Sequence, residues 1–145
     1  MAEAAAAITA LAFDYGVKQI GIAVGQTLTG TATPVTVIKA QNGQPDWQQL
    51  EKILHNWAPG LLLVGLPLNM DGSESEFCLR ARKFARRLQG RFGIKTQMMD
   101  ERLSTREAKS RDGHRESYRS NPIDNIAAQI ILEAWLNDPA QAREP

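Results

Sequence analysis

Three carboxylates stand where apolar stretches of this 145-residue chain begin or end: Asp14 closes the run from Ile8 to Phe13, Glu101 follows the run Ile94 to Met99, and Asp124 falls in the first turn of an apolar helix that Asn121 and Pro122 can open. Carboxylate oxygens are hard ligands that select Mg²⁺ or Mn²⁺ over softer metals. Each acid also has an ordinary structural reading. Asp14 with Tyr15 and Gly16 makes a reasonable tight turn, and an acid in a helix's first turn is favourable to the helix dipole. The chemical reading requires that all three arrive at one place. Asp100 neighbours Glu101, and on a strand only one of the two faces a given side; Glu101 is the expected ligand. Asp71 before Gly72 reads as a turn, His114 as a solvated loop residue, and His55 and Cys78 as structural helix residues.

The elements that would position these acids follow from hydrophobic periodicity. Residues 8–13 and 19–24 are short apolar runs separated by a turn, an antiparallel hairpin. In the second run Ile20, Ile22 and Val24 share one face, while Gly21, Ala23 and Gly25 leave the other small enough for close approach by a helix or another backbone. A third strand over 31–39 contains Pro34, which places it at a sheet edge. Residues 41–45 read as a loop, and Asp46 with Gln49 as a helix start whose stripe is Trp47, Leu50, Leu54 and Trp57. Leu61 to Val64 is a continuous apolar run, as in a parallel strand buried on both faces, and residues 65–72 form a long loop. Ser73 and Glu76 match a capping box for a helix burying Phe77, Ala81, Phe84 and Leu88 and exposing Arg82, Lys83, Arg86 and Arg87. A strand over 94–99 follows. Ser104 and Glu107 suggest another short helix, residues 112–120 a polar loop, and Ile123, Ala127, Ile130, Ile131 and Ala134 a last helix.

This order predicts an α/β fold with a five-stranded mixed sheet, an antiparallel meander plus two parallel strands, flanked by helices. Residues 1–138 form one domain and 139–145 a flexible tail. Ligands of open α/β sheets collect outside the carboxyl ends of parallel strands. Asp14, the 65–72 loop and Glu101 all lie at such ends, with Asp124 as candidate third acid.

Composition narrows the class further. The lone cysteine, Cys78, allows no internal disulfide or cysteine metal cluster, which suits a reducing cytoplasm. No apolar run is long enough to span a membrane. The net charge of +1 hides a segregation, because residues 79–119 hold 13 Lys/Arg against 5 Asp/Glu. That segment reads as a polyanion surface or as a solvated helical face.

The motifs carry a resemblance. Phe-Asp-Tyr-Gly at 13–16, Ile-Gly-Ile-Ala-Val-Gly at 20–25, Gly-Leu-Pro-Leu-Asn-Met-Asp-Gly at 65–72, Asp-Glu-Arg-Leu-Ser-Thr at 100–105 and Ile-Asp-Asn-Ile-Ala-Ala at 123–128 together resemble the YqgF family over nearly the whole chain. The resemblance implies an RNase H-like fold and a nuclease assigned to 5′ maturation of pre-16S rRNA or to Holliday junction resolution. It makes Asp14, Glu101 and Asp124 the catalytic and metal-holding acids. Around the third acid the chain departs from the family pattern, with Ser120-Asn121-Pro122 ahead of Ile123 and Asn125 after Asp124.

The chemistry is consistent with that implication. A phosphodiester is shielded by its own charge, and a single positioned acid or base supplies only about 10² to 10⁴-fold. Paired metal ions neutralise the phosphate and activate water. On this reading Mg²⁺ or Mn²⁺ is the cofactor, the partner is pre-rRNA or branched DNA, and Lys18, Arg82, Arg86, Arg102 and Arg106 grip the nucleic acid. A resolvase calls for a homodimer to cut two strands symmetrically, whereas an RNA trimmer need not dimerise, so homodimer and monomer both stay open. Two rivals stand beside it: a non-catalytic nucleic-acid-binding factor, and an actin-like ATPase, whose two duplicated halves this chain lacks.

Overall fold

Residues Thr9–Asp14 (β1) are buried along almost their whole length because they are paired on both sides. Gln19–Gln26 (β2) pairs antiparallel with β1, and Leu61–Leu66 (β5) pairs parallel with it. The structure is a computed structural model describing residues 7–102 and 125–145. Thr31–Gln41 (β3) lies outside β2, Gln44–Pro45 (β4) pairs antiparallel with the end of β3, and Thr96–Asp100 (β6) pairs parallel with β5. The strand order is β4-β3-β2-β1-β5-β6. The sheet is mixed, as expected, but has six strands rather than five. The extra strand comes from residues expected as loop: Asn42 and Gly43 both adopt positive φ (52° and 81°), a tight reversal that folds two further residues back onto β3. Pro34 is accommodated at an irregularity, since Ile22 opposes Thr36 while Ala23 opposes Pro34. The resulting bulge spares the proline a ladder bond it cannot make.

Alternation along the strands divides the core in two. Leu11, Phe13, Ile20, Ile22, Leu62 and Val64 face Trp47–Trp57 (α1) and Glu76–Phe92 (α2), whose Leu50, Phe84 and Leu88 close that layer. Ala10, Ala12, Ala23, Leu61, Leu63 and Met99 face the other way, onto Ile131, Leu132 and Trp135 of Asn125–Asn137 (α3). The small residues of β2 admit α3 closely: a Cβ at Gly25 would come within 2.8 Å of both Leu132 Cδ2 and the Thr31 carbonyl.

Local signals mostly acted as anticipated. Asp46 caps α1, its Oδ1 accepting from Gln48 N at 3.0 Å and Gln49 N at 3.3 Å. Trp57, expected in the buried stripe, ends the helix 40% exposed, while Trp47 packs on Phe84 and Phe92 with Arg91 4.3 Å over its ring. The cap of α2 is Ser75, accepting from Cys78 N, and not the expected Ser73, because Ser73 donates through both N and Oγ to Asp71 Oδ1. The short helix and polar loop expected over 104–120 lie outside the described residues.

Residues 139–145, expected as a flexible tail, are docked. After a 3₁₀ turn at Pro139–Gln141, Arg143 exchanges backbone hydrogen bonds of 2.7 and 2.9 Å with Met98, and Arg82 Nη1 donates to the Glu144 and Pro145 carbonyls. The physical reason is the open edge of β6, whose unpaired backbone groups are satisfied by a returning segment. Among the described residues no helix is long and apolar enough to cross a membrane.

Two glycine replacements separate packing from propensity. Gly25→Ala destabilises the fold by about 1–3 kcal/mol through overpacking against Leu132 and the Thr31 carbonyl. Gly90→Ala, in α2 with nothing within 4 Å of the added Cβ, stabilises by about 0.5–1 kcal/mol. Urea denaturation of the two variants checks both signs.

Candidate active site

Because β1, β5 and β6 run parallel, their carboxyl ends meet at one edge of the sheet. Phe13 pairs with Val64, which brings Asp14 level with Gly65, and Gly65 in turn pairs with Met99. Side chains alternate along each strand. Ala10 and Ala12 on β1, Leu61 and Leu63 on β5, and Met99 on β6 all face α3, so Asp14 and Gly65 continue that same face, while Glu101 is the first residue after β6. A close contact brings Glu101 over the same face: a Cβ at Gly65 would collide with Glu101 Oε2 and lie 2.8 Å from its Cγ and 2.7 Å from Ile131 Cδ1. The Glu101 carboxylate therefore lies over Gly65, toward β1. Asp14 and Glu101, 87 positions apart in sequence, share one face at one sheet end, and both are half-buried.

The neighbouring acid is in a different electrostatic state. Asp100 is buried and bonded to Arg102, whose Nε reaches both carboxylate oxygens at 3.1 Å, Nη2 reaches Oδ2 at 2.7 Å and backbone N reaches Oδ1 at 2.9 Å. Arg143 Nη2 stands 3.8 Å from Oδ2. Burial works to raise the Asp100 pKa, but the Arg102 hydrogen bonds and charge outweigh it and hold the group below its ordinary value. Glu101 moves oppositely: burial, and then the charge of Asp100, push it up to about 7. A carboxylate raised in this way is stabilised by any cation brought beside it, and the oxygen donors of Asp14 and Glu101 fit a hard divalent ion.

The other residues singled out from sequence are distributed as follows. Lys18 is exposed in the turn after β1, and Arg86 is exposed on α2. Arg82 is engaged, making three hydrogen bonds to Glu74 besides those to the tail. Arg102 joins Asp100 to the 65–72 segment, its Nη1 donating to the Met70 carbonyl at 3.2 Å. Asp71 serves the turn. Asp124 and Arg106 lie outside the described residues, as does His114. Among the described residues no three His, Cys, Asp or Glu side chains gather as a metal cluster. Two contributors went unread in the sequence. Gly65, expected as loop, is the fifth residue of β5, and its signal in the sequence is a glycine inside an apolar run. Arg143 had no local signal, because its partner is 43 positions away.

A family model described as "RuvX: Holliday junction resolvase" matches residues 8–138. The chain belongs to the RuvX family. Relatives within reach include a "Putative pre-16S rRNA nuclease" of Pseudomonas fluorescens (strain Pf-5), 55% identical over 134 residues covering 90% of this chain and 92% of the relative. Proteins of the same name from Pseudomonas putida and Yersinia pestis (strain Pestoides F) are 57% and 53% identical, covering 87% and 91% of this chain and 92% and 96% of theirs. Among solved structures, T. thermophilus RuvC in complex with a Holliday junction substrate aligns with a TM-score of 0.55 at 14% identity, over 94% of this chain and 98% of that one. That likeness shows the fold, which is RNase H-like. The RuvX family is thus the one to which the sequence motifs pointed.

The opposed states of Asp100 and Glu101 have a thermodynamic consequence. Glu101's folded pKa of about 7 exceeds its ordinary 4.5, so between these values the folded protein holds a proton that the unfolded chain has released. Stability therefore falls as pH rises through that window. In EDTA, Glu101→Gln removes this fall and raises stability at pH 8 by on the order of 1–3 kcal/mol, read from urea denaturation at pH 5 and pH 8.

Proposed function

We propose that this chain is a divalent-metal-dependent nuclease that hydrolyses phosphodiester bonds in the 5′ maturation of pre-16S rRNA. The observation that carries the reading is the Glu101 carboxylate held over Gly65 on the face that Asp14 shares. Family membership and the names of the relatives supply the substrate class. Asp14, Glu101 and Asp124 would hold Mg²⁺ or Mn²⁺, which when bound neutralises phosphate charge and activates water. The remaining chemistry belongs to the protein. Asp14 ends the central strand and Glu101 directly follows the last one, so both donors are mounted at the ends of rigid elements. Arg102 and Arg143 hold Asp100 as an anion facing away, fixing the β6 terminus from which Glu101 projects. Lys18 and Arg86 offer exposed cations to the phosphate backbone. Glu101 must lose its proton to accept a cation, so metal affinity rises as pH rises through about 7. On this reading the protein acts on a ribosomal precursor in the cytoplasm, a task that does not require a dimer.

The family model's own description favours a second substrate, the four-way DNA junction, which would require a dimer. One preparation tested on both substrates with Mg²⁺ and with Mn²⁺ decides between them. Asp14→Asn and Glu101→Gln each reduce cleavage of the preferred substrate by ~10²-fold or more. Gly65→Ala, which displaces the Glu101 carboxylate, lowers the rate while the protein remains folded. Full activity in the Asp14 and Glu101 variants would sink the reading.

A further inference from the structure

On the opposite face of the sheet from the carboxylates, but at the same sheet end, lies a cavity of about 270 Å³ between α2 and the β3–β4 hairpin. Its walls include Tyr15, Asn42, Gly43, Arg80, Lys83 and Arg87, and no acid among the described residues lines it. The three cations recur at i, i+3 and i+7 on α2, so they fall on one helical stripe. Among the described residues no carboxylate lies within ion-pair distance of any of them. Arg80 is partly committed: its Nη2 donates to the carbonyl and the Oδ1 of Asn42, at 3.0 and 3.1 Å, and so holds the hairpin wall in place. Among the described residues Lys83 and Arg87 carry no such bond.

A buried hydroxyl adds a second, independent observation. Tyr15 is only 7% exposed, packed by its ring on Phe77 and Phe84. Its Oη occupies the space a Cβ at position 43 would fill, and both Tyr15 and Gly43 line the cavity. No hydrogen-bond partner for that hydroxyl exists among the described residues. A buried, unpaired hydroxyl is costly, and a ligand oxygen entering the cavity would relieve it while facing three cations.

The location relates the cavity to the carboxylates. Tyr15 follows Asp14 directly, and the turn between them and β2 is bonded to the hairpin, Gly43 N donating to the Val17 carbonyl and Ala40 N to the Lys18 carbonyl, both at 2.8 Å. The exposed Lys18 therefore stands on the turn that joins the two places. We propose that this cavity is an anion subsite that grips a backbone phosphate of the nucleic-acid strand away from the phosphate held at Asp14 and Glu101. The proposal rests on the nucleic-acid substrate of the nuclease reading. It assigns to Lys83, Arg87 and the Tyr15 hydroxyl the task of fixing where the strand lies, without contact to the reacting atoms.

The test measures binding without cleavage. Fluorescein-labelled RNA carrying the 5′ precursor segment of 16S rRNA is titrated with Asp14→Asn protein in EDTA, alone and combined with Lys83→Gln/Arg87→Gln. A control pair, Lys52→Gln/Lys95→Gln, removes the same charge at exposed positions outside the cavity. The cavity pair is expected to weaken binding about 5- to 20-fold beyond the control and to reduce the slope of log affinity against log salt by roughly 0.7–1.4, about one to two phosphate contacts on a single strand. Tyr15→Phe is expected to weaken binding by about two- to fivefold with no loss in thermal midpoint. Equal affinity in the cavity and control pairs overturns the proposal. Inorganic phosphate that raises the thermal midpoint of the wild-type protein but not of the cavity pair, with RNA affinity matching the control, also overturns it, since the cavity then takes a small free anion and no strand. Failure of the nuclease reading shows differently, as wild-type protein that binds this RNA yet cleaves neither it nor a four-way junction in Mg²⁺ or Mn²⁺.

Discussion

Glu101 can lie where it does only because residue 65 has no side chain. Any Cβ there would meet the Glu101 carboxylate on one side and Ile131 on the other. The missing methyl group opens a slot at the carboxyl end of β5 into which the last strand's acid leans, toward the acid of the central strand. Everything else about the site follows from keeping that slot narrow and rigid. Alternating residues of three parallel-paired strands form its floor, and α3, seated closely on the small residues of β2, closes it from above.

The narrowness carries an electrostatic penalty, and the chain distributes it unequally over two adjacent acids. Asp100 points away from the slot and receives the arginines, so it is an anion with its charge compensated. Glu101 receives burial and the repulsion of that anion. The pair thus separates a carboxylate whose charge its arginines favour from one whose charge burial opposes and a neighbouring cation would favour. The tail participates at a distance: docking Arg143 on Met98 closes the β6 edge and brings a second guanidinium toward Asp100. Arg102 meanwhile links the same acid to the Met70 carbonyl, tying the loop beside the site to the strand end that Glu101 follows.

The basic surface of α2 likewise divides into roles that its composition does not separate. Arg82 binds Glu74 and the tail, Arg91 covers Trp47, and Arg80 braces the hairpin, leaving Lys83 and Arg87 directed at a cavity and Arg86 at solvent. A run of positive charge is therefore part scaffold and part surface, and only partner geometry tells which.

The secondary-structure elements and the sheet's centre are written in local sequence. Period-two and period-3.6 patterns, Asp46 as a cap and a continuous apolar run at 61–64 are local properties, written in consecutive residues, and so is the glycine-alanine face of β2 that admits a helix. The motifs that identify the RuvX family are local in the same sense. Tertiary structure decided what depends on residues far apart in the chain. It turned Gly65 from a loop residue into the floor of the slot, gave Arg102 to Asp100, docked the tail on β6, and folded Gln44–Pro45 into a sixth strand. Each of these outcomes is a competition among distant partners for one donor, one edge or one small volume, and no window of sequence contains the competitors. The opening hairpin was legible from its own residues, but the company Asp14 keeps was settled by strand register and by the one residue without a side chain between it and Glu101.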